Sequence, residues 1–357
     1  PFKFSSSIVR KNYFGMRSVE IGARWAFWEP GHYKFTCETW KKELAGFDYF
    51  FVTSGTPIAA HPLVLLNKKF LLWTATPYDD DRTERMAKDL GIRKFIDKLA
   101  VPKMRIIEKN ILACATKIMP MSHYARDRFS EIGNIKYSKM DVCGYPVETA
   151  SLSSEKDKNL VVSIGRFSDP RKNVSMLLRV WKKVSKSVPS AKLKIIGKAP
   201  NEKIMKQFSS LIESGSIVFT GMLDNLERDK ILKSASLMLI TSHQEGLGII
   251  GLEAMANGIP VISTKCGGPN DYVFNGETGF LVDVDDDSTM ASLAVRLLRQ
   301  SALARCMGAQ GQKLIATNFS KAHVHEIFRQ NLVKVWPELS GLLRTSVKES
   351  NFKRVSL

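Results

Sequence analysis

The sequence predicts an α/β protein of two doubly wound domains, each built on a parallel sheet, and three observations carry that expectation. From about Gly46 onward, short apolar runs alternate with helical patterns, the signature of parallel strands joined by helices. The alternation breaks over Cys143–Lys158, where Gly144, Pro146 and the polar run Ser151–Lys158 read as a hinge, and restarts more regularly beyond it. A chain of 357 residues also divides more easily into two cores than it fills one. The expected partition is a first domain over 1–148, a second over 149–319, a helix over 320–337 that returns to the first domain, and a tail over 338–357.

In the first half the strands are placed at Tyr49–Val52, Phe70–Thr74 and Lys117–Met121. Ser122 follows the last of them as an N-cap for the helix His123–Glu131. Residues 1–45 are basic and aromatic-rich (Tyr13, Trp25, Phe27, Trp28, Tyr33, Trp40) but show no strand followed by a glycine-rich turn. The first domain is therefore expected to be incomplete at its N-terminal side, with fewer strands than the second. The second half reads as strands Leu160–Ile164, Lys192–Ile196, Ile217–Phe219, Leu237–Thr241, Pro260–Ser263 and Gly279–Val282, with helices Val174–Ser187, Glu202–Ser214 and Leu226–Ser234 between them. Such a sheet holds ligands at the carboxyl ends of its strands. A last helix over Phe319–Trp336 carries Val324, Ile327, Phe328, Leu332 and Val335 on one face and ends before Pro337, ahead of a tail expected to be poorly ordered.

Composition narrows the function classes. No run of eighteen apolar residues occurs, and Lys3, Arg10 and Lys11 surround too short an apolar stretch for a signal peptide, so a cytoplasmic protein is expected; the chain opens on Pro1 in place of Met. Five scattered cysteines suggest neither disulfides nor a zinc site. A formal charge of +18 favours a polyanionic partner. The stretch Arg82–Leu99 sets Met86, Leu90, Phe95, Ile96 and Leu99 against six basic residues, a helix suited either to an anionic membrane surface at the inner face or to a solvated position over the core. No recognised nucleic-acid motif accompanies the charge, so nucleic acid is not the expected partner.

The chemistry concentrates in His243–Ile262. A strand ends near Thr241, a glycine-rich turn follows, and a helix opens near Ile249, so Gly246 and Gly248 allow a ligand close to the backbone and the free helix amides point at it. That geometry suits a diphosphate. Glu245 and Glu253, eight positions apart, offer carboxylates to the hydroxyls at either end of an extended ligand. Gly246, Gly248 and Gly251 also spell a dinucleotide fingerprint, but the next strand ends in Ser263-Thr264-Lys265 and lacks the acid that fingerprint needs. Gly165, Arg166 and Lys172 form the other half of the site, in the loop after the first strand of the second sheet, where a guanidinium and an ammonium can converge on phosphate oxygens. Arg171 reads as a surface charge.

Gly165-Arg166 with Lys172-Asn173, then Glu245-Gly-Leu-Gly with Leu252-Glu253-Ala-Met-Ala, then Gly267-Gly268-Pro with Gly276-x-Thr-Gly-Phe-Leu-Val282, resemble in order and spacing the retaining glycosyltransferases of family four over residues 110–335. The resemblance implies a GT-B fold of two facing Rossmann-like domains, a nucleoside diphosphate sugar as co-substrate, a saccharide or lipid-linked acceptor, hexosyl transfer, and no obligatory metal or cofactor. It implies that Arg166 and Lys172 neutralise the diphosphate, Glu253 binds ribose hydroxyls, Glu245 binds the transferred sugar, and the amides of Leu247, Gly248 and Ile249 hold sugar and phosphate. The chain departs from the family at Phe70–Pro77, where no histidine follows the strand; His61 and His123 are the candidates left for a first-domain role. The alternative is a GT-B protein that binds nucleotide sugars with impaired catalysis.

Overall fold

A computed structural model describes residues 7–13, 15–22, 28–34, 36–86, 92–150 and 156–341. Strands β1 (Ile8–Tyr13) and β2 (Met16–Ile21) pair antiparallel, with Tyr13 opposite Met16 and Gly15 at φ +80° in the tight turn. Strands therefore do exist within residues 1–45, although none opens the parallel sheet through a glycine-rich turn. They form a separate two-stranded ribbon, and β1 is exposed throughout, so no apolar run announced it.

Among the described residues the first parallel sheet has three strands in spatial order, β3 (Phe51–Ser54), β4 (Leu71–Thr74) and β5 (Lys117–Pro120). The second has six: β6 (Leu160–Ile164), β7 (Lys192–Ile196), β8 (Ile217–Gly221), β9 (Leu237–Ile240), β10 (Val261–Thr264) and β11 (Gly279–Val282). Their spatial order is β11-β10-β9-β6-β7-β8, all parallel, so the winding reverses between β6 and β9. A crevice opens at such a reversal, outside the carboxyl ends of the strands. The first sheet is a partial counterpart of the second, as the pattern of residues 1–45 implied.

The helix Val174–Ser187 starts at Asn173, whose side chain accepts from the Met176 amide, and seals Met176, Leu177, Val180, Trp181 and Val184 against β6 and β7. Trp181 is fully buried, with its indole N–H on Ser216 Oγ at 3.0 Å. The opposite face is covered by Ile249–Ala256 and Ser301–Asn318. The expected helix over Glu202–Ser214 is two helices, Glu202–Lys206 and Ser209–Glu213; the break leaves Ile204, Phe208, Leu211 and Ile212 all against the core.

On the first sheet, the helix Ile92–Cys114 places Met104, Ile111 and Leu112 with Phe70, Leu72 and Ile118 on one face. The helix Lys321–Val335 lays Val324, Ile327, Phe328 and Leu332 over Leu71 and Met119 on the other. The amphipathic candidate Arg82–Leu99 falls across the end of the helix Tyr78–Met86 and the start of Ile92–Cys114, with residues 87–91 outside the described residues. The tail beyond residue 341 lies outside them too. Among the described residues no helix is long and apolar enough to cross a membrane.

Candidate active site at the switch point of the second sheet

The loops after β6 and β9 meet where the winding reverses. After β6, Asp169 caps a single tight turn, Pro170–Lys172, by accepting from the Arg171 amide at 3.1 Å, and Asn173 at φ +44° ends it. Two bonds tie this turn to the β9 loop: the Thr241 hydroxyl donates to Lys172 O at 3.1 Å, and His243 N–H to Arg171 O at 2.7 Å. Lys172 is thereby brought to Glu245, with Nζ 2.6 Å from Oε1. Ser242 Oγ donates to the same oxygen at 2.6 Å. The Glu245 backbone is held in turn, its N–H on Cys266 O at 2.7 Å and its carbonyl accepting from Gly268 at 2.8 Å.

Gly248, at φ +74°, opens the helix Ile249–Ala256 without a side-chain cap, which leaves its first amides for a ligand. The Tyr272 hydroxyl donates to Gly248 O at 2.8 Å, and burial keeps that phenol well above its usual pKa and so a neutral donor. A Cβ on Gly248 or Gly251 would lie 2.7 or 2.3 Å from the Tyr272 oxygen, so the apparent dinucleotide glycines make room for this tyrosine. Gly246 has a different neighbour. A Cβ there would stand 2.1 Å from Thr76 Oγ1 and 2.6 Å from Ala75 O, in the loop after β4 of the first domain.

These groups wall a cavity of about 340 Å³. Arg166, Lys172, Glu245, Gly246, Leu247, Gly248 and Ile249 line it from the second domain, and Gly55, Ala75, Thr76, Asp81 and Met121 from the first. Gly165 stands behind the Lys172 stem, a Cβ there being 3.4 Å from Cδ and Cε. Arg166 swings outward: its side chain is 68% exposed and 3.9 Å from Asp169. Glu253 is off the cavity wall, with Oε1 3.6 Å from Arg228 Nη2, while its Oε2 and Arg228 Nε are sealed and unpartnered. Burial holds the Glu253 carboxyl above the usual range.

Arg171 corrects the surface-charge reading. It is only 9% exposed, pinned between Asp169 at 3.0 Å and Asp81 of the first domain at 2.6 Å. Arg171 and Lys172, adjacent in one turn, point to different carboxylates, which spacing alone does not reveal. Neither histidine candidate lines the cavity. His61 sits edge-on to Tyr33, and burial keeps its pKa low. His123 faces the other domain, its amide and Nδ1 2.7 and 3.1 Å from Asp271 Oδ2. Sequence reasoning also missed Thr76, Asp81, Arg228 and Ser122, whose hydroxyl donates to Gly246 O at 2.6 Å. Among the described residues no group of three or more His, Cys, Asp or Glu side chains is placed to hold a metal ion.

Residues 146–314 match the family described as glycosyl transferases group 1. The match spans the second domain, which resembles that family. The relatives it matches carry glycosyltransferase and synthase names. The capsular polysaccharide biosynthesis glycosyltransferase CapM of Staphylococcus aureus is 24% identical over 85% of this chain and 79% of its own length. The N-acetyl-alpha-D-glucosaminyl L-malate synthase of Bacillus anthracis is 31% identical over 51% of this chain, which spans 46% of that relative. Among solved structures, sucrose-phosphate synthase of Thermosynechococcus elongatus superposes with a TM-score of 0.70 at 18% identity, over 92% of this chain and 86% of that one. S. aureus TarM, solved with UDP and alpha-GlcNAc-glycerol, gives 0.64 at 17% identity over 89% and 60%. The fold is GT-B.

Proposed function

We propose that this glycosyltransferase moves a hexosyl group from a nucleoside diphosphate sugar to a hydroxyl of a saccharide or lipid-linked acceptor, with retention at the anomeric carbon, as in family four. One observation carries the reading: Lys172 and Glu245 stand 2.6 Å apart beside the uncapped helix start at Gly248, so cation, carboxylate and free amides share one wall. Lys172, Arg166 and the amides of Leu247–Ile249 take the diphosphate, and Glu245 takes hydroxyls of the transferred sugar. By the resemblance to family four Glu253 takes the ribose hydroxyls, which requires its Oε2 to turn from its sealed position toward the cavity. The bond from the anomeric carbon to the phosphate oxygen breaks, the bond to the acceptor oxygen forms, and the acceptor proton leaves with the diphosphate. The side-chain cations and helix amides stabilise the charge that develops on the departing group, without an obligatory metal.

Product formation from a panel of nucleotide sugars, with the anomeric configuration read by NMR, tests this. Transfer with retention is expected; inversion overturns the stereochemical assignment. Donor binding without transfer or hydrolysis would favour the second reading, a nucleotide-sugar-binding protein with impaired catalysis, to which the three-stranded first sheet lends support.

The lipid-linked acceptor and a peripheral position at the inner face of the membrane draw support from the helix Ile92–Cys114. It leaves Phe95 64%, Leu99 50% and Ile106 62% exposed along one stripe with Pro102, beside exposed Lys94, Lys98 and Lys109. Apolar stripe and flanking lysines suit an anionic bilayer surface. The triple variant Phe95→Ser, Leu99→Ser, Ile106→Ser should lose at least about tenfold in affinity for anionic vesicles, and raised salt should release the parent protein. Equal binding of the parent to neutral and anionic vesicles would sink the idea.

A further inference from the structure

The helix Tyr78–Met86 opens with Asp79, Asp80 and Asp81, and the three carboxylates part company at once. Asp79 turns to Arg105 of its own domain at 2.6 Å. Asp80 and Asp81 face the second domain by two separate routes, and both routes end at the Lys172–Glu245 pair.

The Asp81 route is direct. Its Oδ1 accepts from Arg171 Nη1 at 2.6 Å, Arg171 O accepts from His243 N–H, and the next residue is Lys172. The Asp80 route runs through an aromatic ring. Asp80 accepts from the Tyr124 hydroxyl at 2.5 Å and from Arg128 Nε and Nη2 at 3.1 Å each. The Tyr124 ring lies on Gly267, where a Cβ would stand only 2.8 Å from its Cδ1. Gly267 is bridged to Glu245, and its two neighbours, Cys266 and Gly268, hold the Glu245 amide and carbonyl. One first-domain helix thus holds the ring that lies against the backbone carrying the carboxylate and grips the turn that carries the cation.

We propose that Asp80 and Asp81 are positioning residues that set Lys172 against Glu245 from across the cleft, so that the pair reaches working register only when the two domains are shut. The proposal rests on the reading of that pair as the donor site. With the domains apart, Arg171 keeps Asp169 as its carboxylate and the second domain keeps every group assigned to the diphosphate, so donor binding does not require the clamp. Turnover does, because small displacements of reacting groups cost far more in rate than in binding.

The test compares Asp81→Asn, Asp81→Glu and Tyr124→Ala with the parent enzyme by steady-state kinetics, calorimetric titration with the nucleoside diphosphate, and melting midpoint. Asp81→Asn and Tyr124→Ala are expected to lower kcat by about tenfold or more while diphosphate affinity stays within about threefold and melting is unchanged; Asp81→Glu should recover part of the rate. The double variant should lose less than the product of the single losses, since both act on one pair. Parent-like kcat in Asp81→Asn overturns the proposal, and so does a fall in diphosphate affinity that matches the fall in kcat. If Tyr124→Ala proves too unstable to assay, Tyr124→Phe, which keeps the ring and removes the Asp80 bond, must show the same split. A parent enzyme that fails to bind any nucleoside diphosphate would instead overturn the donor-site reading, a result distinct from failure of the clamp.

Discussion

Lys172→Ala is expected to lower nucleoside diphosphate affinity by about 30-fold to 1000-fold, whereas Glu245→Gln leaves it nearly unchanged and loses turnover by about 100-fold. The asymmetry follows from where the charges sit. Lys172 is 20% exposed and Glu245 15%, so removal of the ammonium takes a cation from the phosphates and leaves a half-sealed carboxylate facing them. Arg166→Ala should cost less, about tenfold, because its side chain is 68% exposed and screened by water. Gln at 245 can still accept from Lys172 and Ser242, which keeps the cation in place, but it is a weaker acceptor for sugar hydroxyls. Combining Lys172→Ala with Glu245→Gln should recover part of the lost diphosphate affinity, since the repelling carboxylate is gone. Calorimetric titrations with the free diphosphate and with the intact donor decide the matter. Parent-like diphosphate affinity in Lys172→Ala, or its collapse in a well-folded Glu245→Gln, would refute the assignment.

The second large effect concerns stability. Glu108 is 1% exposed inside the first domain, accepts from the Tyr78 amide at 2.8 Å, and is pushed by burial from 4.5 up to about 7. The folded chain therefore holds this proton more tightly than the unfolded chain does. Its contribution to stability is fully present below about pH 4.5, declines as the pH rises, and is gone above about pH 7. Glu108→Gln keeps an acceptor for Tyr78 N–H and removes the ionisation, so it should stabilise the protein by up to roughly 3 kcal/mol at pH 8 and by little at pH 4.5. Denaturant midpoints at the two pH values test this. A variant no more stable than the parent at pH 8 would show that the carboxylate is comfortably solvated or paired where it stands.

The parts of the molecule legible in the sequence are those whose signal is local. Leu160–Ile164, Lys192–Ile196 and Gly279–Val282 could be bounded to the residue because each is a short apolar run closed by turn residues, and Val174–Ser187 because its buried positions recur at helical spacing. Gly248 announced the helix start at Ile249 in the same way. What could not be read depends on how distant segments meet. Nothing in Asp169-Pro170-Arg171-Lys172 says that the arginine turns to a carboxylate ninety residues earlier while the lysine turns to Glu245. Thr76 and Asp81 come to the cavity, and Ser122 to the Gly246 carbonyl, only because the segments after β4 and β5 close over the second domain, a tertiary event with no periodicity to betray it. The hairpin β1–β2 escaped for the opposite reason: Val-Arg-Lys-Asn within β1 has no buried face, so its pairing leaves no hydrophobic pattern.

The helix Lys321–Val335 has a bearing on the order in which the molecule can be assembled. It covers one face of the first sheet from the far end of the chain, with Lys69 Nζ bonded to Val335 O across 266 positions. During vectorial synthesis, Leu71 and Met119 therefore stay open to solvent on that side until the helix has left the ribosome. The second sheet, contiguous from β6 to β11, has by then already been synthesised. The segment translated earlier is thus the later one to be sealed, and in the interval its bare apolar face is the surface on which the nascent protein is most open to aggregation and to chaperones.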